Sequence, residues 1–266
     1  MKKKGFILFR IVLIAIIAML SLNHVWSKVS YDNRFSNFKK NSLLSSKEYR
    51  SIPVLMYHSI SNDEEGLFVV CKEEFEKQMN YLKNTGFKTL TLDELFKYFR
   101  NNEKVPQKSV VITFDDGYED NYTNAYPILR KNKMKATVFV VTNCIDKGSY
   151  YMNSNQLKEI QNTCIDVQSH TLDHSKLDKL SYEKQVKELK GSKSFLEKLL
   201  NKKVEYLAYP FGRYNDNTLK AIDKCNYKMA FTTRIGWSNK KQGLNKLNRI
   251  YIPGYMNLEL FKKILN

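Results

Sequence analysis

Short runs of apolar and β-branched residues alternate with amphipathic stretches along the chain from Ser51 onward. The apolar runs have the length of buried strands, and the amphipathic stretches have the spacing of helices with one apolar face. Strands are predicted at 52–58, 88–91, 110–116, 136–141, 165–170, 205–210 and 228–233, and helices at 75–84, 92–99, 122–132, 155–162, 181–200 and 215–225. Repeated alternation of this kind predicts an α/β fold, in which helices cover a parallel sheet or barrel.

The first 50 residues do not follow this alternation. Three lysines at positions 2–4 precede an apolar run over residues 6–22, and small residues follow shortly after it. This arrangement predicts an export signal over residues 1–27, with an uncleaved membrane anchor as the alternative. Residues 28–50 are polar and lack a sustained period, which predicts a linker. One folded domain over residues 51–266 is therefore expected outside the cytoplasm.

The composition adds a strong positive charge to this picture. The chain carries 44 Lys+Arg against 27 Asp+Glu, a formal net charge of +17. Removal of residues 1–27 would take away three lysines and Arg10 and no acid, which leaves 17 − 4 = +13. Outside a cell, this charge favours binding to an anionic cell wall or membrane surface. No nucleic-acid-binding motif accompanies it, so nucleic acid is not an expected partner.

The four cysteines show no C-x-x-C spacing, so a thiolate zinc site has no support in the sequence. They are Cys71, Cys144, Cys164 and Cys225. An exported chain could form up to two disulfides, but a domain of this length does not need them. Free thiols are therefore expected, with Cys144 and Cys225 buried beside apolar stretches.

Ionisable residues stand where the predicted strands end. Asp115 and Asp116 close the strand VVITF, and His58 closes PVLMY. His170 closes IDVQS and is followed four residues later by His174, while EYLAY runs into the turn segment P-F-G. Because the carboxyl ends of parallel strands meet at one rim, two carboxylates and three imidazoles are expected to lie there together.

This set of side chains predicts a hydrolytic metal site. Two histidines four residues apart and one carboxylate form a set of three ligands that leaves coordination positions open. Adjacent aspartates after a strand point in different directions, so one can bind the metal while the other takes a proton from the attacking water. Gly117 permits the sharp turn that follows them. These ligands suit Zn²⁺ first, with Co²⁺ and Ni²⁺ as alternatives.

Three motifs carry a family resemblance. They are T-F-D-D-G (113–117), S-H-T-x-x-H (169–174) and Y-P-F-G (209–212), and their order and spacing resemble those of NodB-type polysaccharide deacetylases, carbohydrate esterase family four. The resemblance spans about residues 51–252. It implies that the domain over 51–266 is a distorted (β/α) barrel that removes N-acetyl groups from hexosamine polymers.

The resemblance also implies roles for individual residues. It implies that Asp115 is the catalytic base. It also implies that the metal is bound by three ligands, Asp116, His170 and His174. The backbone N–H of Phe211 would help to hold the developing oxyanion. Tyr209, in the same motif, is assigned to the same oxyanion or substrate contact.

Two departures from the common family pattern point to one subgroup. Ala208 stands where many members have arginine, and no histidine follows His174, so the usual late general acid is missing. The segment P-V-L-M-Y-H-S-I (53–60) resembles the subgroup that deacetylates poly-β-1,6-N-acetylglucosamine, the intercellular-adhesin type. In that subgroup the histidine of this strand, here His58, is implicated as the acid. Arg249 is a candidate to orient Asp115, with a surface arginine as the equal alternative.

The expected activity is thus metal-dependent removal of N-acetyl groups from a cell-surface N-acetylglucosamine polymer linked to a biofilm matrix. Deacetylation of peptidoglycan or chitin oligomers is the alternative within the class, and a non-catalytic glycan-binding module is the alternative outside it. Polysaccharide synthase machinery is a further candidate partner. Several aromatic residues are candidates for stacking on sugar rings, with core or rim packing as the alternative; they are Tyr118, Tyr122, Tyr150, Tyr151, Tyr214 and Trp237.

Overall fold

A closed barrel of seven parallel strands forms the centre of the protein in the computed structural model, which describes residues 51–64 and 66–265. The predicted export segment (1–27) and linker (28–50) lie outside the described residues. The barrel strands are β1 (Val54–Tyr57), β5 (Ser109–Phe114), β6 (Ala136–Val140), β7 (Ile165–Ser169), β8 (Tyr206–Ala208), β9 (Met229–Ile235) and β10 (Leu247–Tyr251). Strand β1 pairs with both β10 and β5, which closes the ring. The predicted (β/α) barrel is confirmed.

Four strands differ from the sequence prediction. The predicted strand at 88–91 is reduced to β4 (Lys88–Thr89), which pairs only with the start of β5 and lies outside the ring. The seventh barrel strand is instead β10, which the hydrophobic pattern did not predict. A separate two-stranded sheet, β2 (Ser59–Ile60) with β3 (Val69–Val70), was also not predicted.

Seven α-helices surround the barrel within the described part of the chain. They are α1 (Lys72–Asn84), α2 (Leu92–Asn101), α3 (Tyr126–Asn132), α4 (Ser154–Gln161), α5 (Tyr182–Leu200), α6 (Asp216–Lys224) and α7 (Leu258–Leu265). Side chains cap several helix starts: Thr91 with Glu94 begins α2, and Asn153 with Gln156 begins α4. These reciprocal hydrogen bonds satisfy amide groups that a helix start leaves without intrahelical partners.

One apolar cluster joins the barrel strands to α2. Alternate strand residues, among them Val54, Val111, Phe139 and Phe231, pack with Leu92, Leu95 and Phe99 of the helix. Because side chains alternate across a strand, the residues in this cluster share one face of the barrel wall. A rigid barrel of this kind fixes the positions of the loops that follow its strands.

The four cysteines are free thiols, as expected, although only Cys225 is buried. None of the helices between residues 51 and 265, as far as these are described, combines the length and apolarity needed to cross a bilayer.

Candidate active site

The ionisable residues predicted from the strand ends meet at the carboxyl ends of the barrel strands. Asp115 and Asp116 follow β5, His170 follows β7, and His58 follows β1. Parallel pairing brings these ends together: the Asp115 amide donates to the Tyr57 carbonyl of β1 at 3.0 Å. The rim predicted from the sequence is therefore present, with its polar side chains on one end of the barrel.

Asp116, His170 and His174 form the tightest cluster of potential metal ligands. The Nε2 atoms of His170 and His174 lie 3.4 and 3.3 Å from the same carboxylate oxygen, Oδ1 of Asp116. One ligand atom from each residue lies within 4.8 Å of the other two. Ligands of a tetrahedral zinc site, with bonds of about 2.0–2.1 Å, stand roughly 3.3–3.4 Å apart. The observed spacing thus fits a divalent cation.

A hydrogen bond on the far side of His170 fixes the tautomer that a metal needs. Its Nδ1 lies 2.8 Å from the carbonyl oxygen of Ala208, which can only accept. The proton therefore resides on Nδ1, and the lone pair of Nε2 faces the Asp116 carboxylate. The ring is buried, whereas His174 keeps 31% of its side-chain surface exposed. The cluster is thus held from inside the barrel and open towards solvent.

Unusual backbone conformations shape the loops that carry these ligands. Asp116, Thr171 and His174 have positive φ angles of 75°, 70° and 55°. Such left-handed conformations cost free energy for residues with a Cβ atom and persist where the surrounding structure enforces them. Gly117 has φ +84°, and a Cβ there would stand 2.8 Å from Val140. The sharp turn predicted at Gly117 is therefore confirmed. A larger residue at this position would require Val140 to move.

Glu188 of α5 holds the loop between His170 and His174. Its carboxylate accepts hydrogen bonds from the amides of Leu172 and Asp173 at 3.0 and 3.1 Å, and from Ser175 at 3.3 Å. Glu188 is buried, 7% exposed. Sequence analysis did not identify this residue, because it stands in the middle of a charged helix with no motif around it.

Asp115 is held by an arginine from the unpredicted strand β10. Two guanidinium nitrogens of Arg249 donate to the two carboxylate oxygens of Asp115 at 2.7 and 2.6 Å. The same guanidinium donates to Thr113 Oγ1 at 3.2 Å and to the Thr232 carbonyl at 3.1 Å. Arg249 has no exposed surface, so the alternative of a surface arginine is wrong. The structure brings Arg249 to Asp115, as the sequence analysis suggested.

This pairing decides the charge of Asp115. Burial alone would raise the pKa of the carboxyl, but the Arg249 guanidinium and its hydrogen bonds outweigh it, so the pKa of Asp115 lies below its ordinary value. Burial likewise opposes ionisation of Asp116, yet the neighbouring imidazoles hold the pKa of that carboxyl well below its usual range. Both carboxyl groups are therefore ionised at neutral pH.

His58 lies at the same rim between two aromatic rings. Its ring centroid is 4.9 Å from that of Phe68 and 5.9 Å from that of Tyr251. Its Nδ1 atom is buried and has no hydrogen-bond partner among the described residues. Burial lowers the pKa of His58, although the charges of Asp115 and Asp116 act in the opposite direction. His58 therefore lies at the rim with one buried ring nitrogen that makes no hydrogen bond to the described residues.

The Y-P-F-G motif forms a tight turn after β8. Phe211 has φ 58° and keeps half of its side chain exposed, with its ring 4.6 Å from the His174 ring. A Cβ at Gly212 would stand 2.6 Å from the backbone nitrogen of Thr233, so the turn requires glycine. Phe211 thus lies beside the ligand cluster, as predicted.

The side chain of Tyr209 does not take part in this rim. It is fully buried, and its hydroxyl donates to the carbonyl of Asn245 at 2.9 Å. Its ring stacks on Tyr214 at a centroid distance of 5.2 Å. The predicted oxyanion or substrate contact is therefore corrected for this side chain, because both its ring and its hydroxyl are used in packing inside the protein.

Three of the candidate aromatic residues lie near the ligand cluster. Tyr118 and Tyr151 stack at 5.5 Å, and Tyr150 packs on each of them at 5.2 Å. Tyr118 and Tyr151, together with Asp116 and His174, line a cavity of about 330 Å³. Trp237 instead donates its indole N–H to Ile264 of α7, and Tyr122 donates to Glu159 of α4.

Several known proteins are similar to this chain in sequence. A family model described as polysaccharide deacetylase matches residues 102–230. The putative polysaccharide deacetylase YxkH of Bacillus subtilis is 40% identical over 204 residues, 76% of this chain and 72% of its own. The poly-β-1,6-N-acetyl-D-glucosamine N-deacetylase of Staphylococcus aureus is 31% identical over 95% of this chain and 92% of its own.

A solved structure resembles the barrel closely. The deacetylase PplD of Streptococcus pyogenes, in complex with acetate, superimposes with a TM-score of 0.77 and 36% sequence identity. The match covers 82% of this chain and 99% of PplD. Similarity therefore extends over the whole barrel and its rim, beyond the three motifs.

Proposed function

The chain belongs to the polysaccharide deacetylase family, and from this membership we propose that it is a divalent-metal-dependent enzyme that deacetylates exported poly-β-1,6-N-acetyl-D-glucosamine. The observation that carries the proposal is the combination of a three-ligand cluster with an ionised, buried Asp115 directly beside it. A ligand cluster and a separate carboxylate base are the two parts that hydrolysis of an amide by activated water requires.

Asp116, His170 and His174 are the residues that would hold the metal, since their donor atoms have the spacing and the tautomer it needs. A bound divalent ion supplies Lewis acidity towards the acetyl carbonyl and makes water more acidic. Zn²⁺ is the first candidate, and Co²⁺ and Ni²⁺ fit the same ligands.

Asp115 is the proposed general base. Arg249 keeps it ionised and fixes its two oxygens, so it can accept the proton of the attacking water without a change of rotamer. The backbone N–H of Phe211 is proposed to donate to the oxyanion that develops on the acetyl group. His58 is proposed to protonate the departing amine, because it follows β1 at the same rim as Asp115 and Asp116.

The choice of polymer rests on two observations. The Staphylococcus aureus relative that acts on poly-β-1,6-N-acetyl-D-glucosamine matches along 95% of this chain. The histidine that the resemblance to that subgroup implicates as the acid is present as His58, which follows β1 at the rim. Both observations favour this polymer over peptidoglycan and chitin oligomers.

We propose that the enzyme acts outside the cell, secreted or anchored through residues 6–22. The mature chain, with a charge of 17 − 4 = +13, would be attracted to an anionic wall or membrane surface near the polysaccharide synthase machinery. Deacetylation turns a neutral polymer into a cationic one, which then adheres to the same anionic surfaces. Such a product suits a biofilm matrix.

Acetate release from three soluble substrates tests the proposed function. The purified enzyme is supplied with β-1,6-linked N-acetylglucosamine oligomers, with peptidoglycan fragments and with chitin oligomers, at matched concentrations of acetyl groups. The proposal expects the highest kcat/KM on the β-1,6-linked oligomers. A clear preference for peptidoglycan or chitin oligomers would replace the substrate assignment, and binding without acetate release from any of them would favour a glycan-binding module.

A further inference from the structure

The rim of the active site carries opposite charges on its two sides. In the strand order of the barrel, the loop after β6 lies on one side of the His170–His174 segment, and the ends of β8 and β9 lie on the other. The loop from His170 to Lys176 carries one charged side chain towards each side. Asp173 accepts a hydrogen bond from Asn143 of the β6 loop, whereas the ammonium group of Lys176 lies 5.1 Å from the ring centroid of Phe211, after β8.

The side beyond β8, which we call the cationic side, consists of Lys176, Phe211 and Arg234. Arg234 lies on β9 after Thr233, whose hydroxyl donates to the Phe211 carbonyl at 3.4 Å, and its guanidinium carbon lies 5.5 Å from the ring centroid of Tyr214. Both basic side chains are exposed, and within residues 51–64 and 66–265 neither has a carboxylate at salt-bridge distance. Neither charge is therefore neutralised by a carboxylate of these residues, and the ammonium group of Lys176 lies where a ligand over the exposed ring of Phe211 would meet it.

The opposite side, which we call the tyrosine side, consists of Tyr118, Tyr150 and Tyr151 with the acids Glu64 and Asp173. The three rings pack on one another beside the cavity of about 330 Å³. Tyr150 is 52% exposed. Burial and the negative charges around it, Glu64 first, raise the pKa of its hydroxyl. This side therefore combines aromatic faces with a negative potential.

The reaction itself introduces charge into the substrate. Each N-acetylglucosamine unit is neutral, whereas a glucosamine unit carries a protonated amine over much of the neutral range. Aromatic faces and carboxylates attract a cationic sugar. Two unpaired basic side chains repel it, and the repulsion is weakened by salt.

We propose that this charge asymmetry makes deacetylation directional along the polymer: a glucosamine unit next to the reacting unit is accepted on the tyrosine side and disfavoured on the cationic side. The inference rests on the proposed function, because it needs a polymer whose units gain amines. Unmodified polymer would lie over the cationic side, and deacetylated units would leave across the tyrosine side. The enzyme would then extend a deacetylated stretch in one direction.

Defined β-1,6-linked trimers test this directly. Two trimers each contain one glucosamine, at the reducing end in one and at the non-reducing end in the other, and the fully acetylated trimer serves as the reference. The measured quantity is kcat/KM for acetate release from the central unit, with the position assigned by tandem mass spectrometry. The wild-type enzyme is expected to prefer one of the two mixed trimers by about fivefold, the scale of two screened charges at this range.

Charge-reversal variants assign the preference to the cationic side. Lys176→Glu with Arg234→Glu is expected to bring the two mixed trimers to within about twofold of each other or to reverse their order. Lys187→Glu with Lys198→Glu makes the same change of net charge on exposed positions of α5 and should keep the wild-type ratio. Asp173→Asn should lower activity only on the trimer that the wild type prefers.

The outcomes separate this inference from the proposed function. Equal rates on the two mixed trimers by the wild type, or an unchanged preference in the Lys176 and Arg234 double variant, would overturn the directional proposal while acetate release continues. No acetate from the fully acetylated trimer would overturn the proposed function, and the directional proposal with it.

Discussion

Arg249 and Asp115 form a two-pronged ion pair from which solvent is excluded. The pair uses both carboxylate oxygens, at 2.7 and 2.6 Å, and Arg249 has no exposed surface. The guanidinium carbon also lies 5.7 Å from the ring centroid of Phe139, so the charge rests on the apolar cluster of the barrel. A carboxylate held in this way is fixed in position and kept ionised, as the proposed role of general base requires.

Arg249→Lys is therefore expected to lower kcat/KM by roughly tenfold or more, because lysine cannot form two parallel hydrogen bonds with the carboxylate. It should also shift the pH profile. Arg249 holds the pKa of Asp115 below its ordinary value, so weakening the pair raises that pKa, and the base becomes protonated at a higher pH. The acidic limb of the profile of kcat/KM should move to higher pH.

Arg213→Lys is the matched control for this variant. Arg213 forms a similar pair with Asp178, through Nε and Nη2, on the exposed surface. Exposed ion pairs contribute little, so its loss should leave the acidic limb in place. An Arg249→Lys enzyme whose acidic limb coincides with that of the wild type would show that Arg249 does not set the ionisation of Asp115.

Asp115 and Asp116 are adjacent but should respond differently to the same substitution. Asp116→Asn removes a charged ligand from the cluster, so bound metal measured by mass spectrometry should fall well below one ion per chain. Asp115→Asn should keep its metal while acetate release falls by roughly a hundredfold or more, the scale of a lost general base. Chelation of the wild type should reproduce the Asp116→Asn enzyme, and added Zn²⁺ or Co²⁺ should restore only the wild type.

Loss of bound metal in Asp115→Asn would make that residue a ligand instead of the base. Full acetate release from a metal-free wild-type preparation would contradict the metal assignment of Asp116, His170 and His174.

His58→Gln should remove the alkaline limb of the pH profile. A general acid must be protonated, and burial lowers the pKa of His58 from the ordinary value of 6.5. The active imidazolium is therefore lost as the pH rises through that lowered pKa. The variant should be slower than the wild type at acidic pH, and the two profiles of kcat/KM should converge at alkaline pH. A variant that keeps the alkaline limb would assign the proton transfer to another group.

The strand ends were predictable because the sequence marks them twice. Asp115 and Asp116 end the largely apolar run VVITF, and His170 ends the strand IDVQS, and the parallel arrangement of the strands places these ends at one rim. Strand β10 was not predicted for a related reason. Arg249, with Asn248 beside it, breaks the apolar pattern within the strand, and only the partner Asp115 makes a buried arginine favourable there.

Other features of the site depend on tertiary packing that no local pattern records. The burial of Tyr209 follows from its stacking on Tyr214 and its bond to Asn245, which the motif does not reveal. The left-handed conformations of Asp116 and His174 occur at residues that give no sign of them in the sequence. Glu188 contacts the ligand loop from a helix that begins eight residues after His174.

Glu188 provides the last prediction, because it holds the loop that carries the proposed metal ligand His174. Its carboxylate accepts the amides of Leu172 and Asp173, just before His174. Glu188→Ala leaves these amides without their acceptor, which costs about 1–3 kcal/mol for each buried group left unsatisfied. The loop should then rearrange, and metal affinity, measured by competition with a chromogenic chelator, should fall by roughly ten- to a hundredfold.

Glu188→Gln is the matched control, since an amide oxygen can still accept from the same two amides. Its metal affinity should stay within about threefold of the wild type, whereas Glu188→Ala is expected to lose roughly tenfold or more. The comparison separates positioning from general destabilisation, because both variants can be assayed at a temperature where circular dichroism shows them folded. Glu188→Ala could instead lower the melting temperature but bind metal as tightly as Glu188→Gln. The loop would then reach its geometry without Glu188, and binding of the metal by Asp116, His170 and His174 would have to enforce the left-handed conformation of His174.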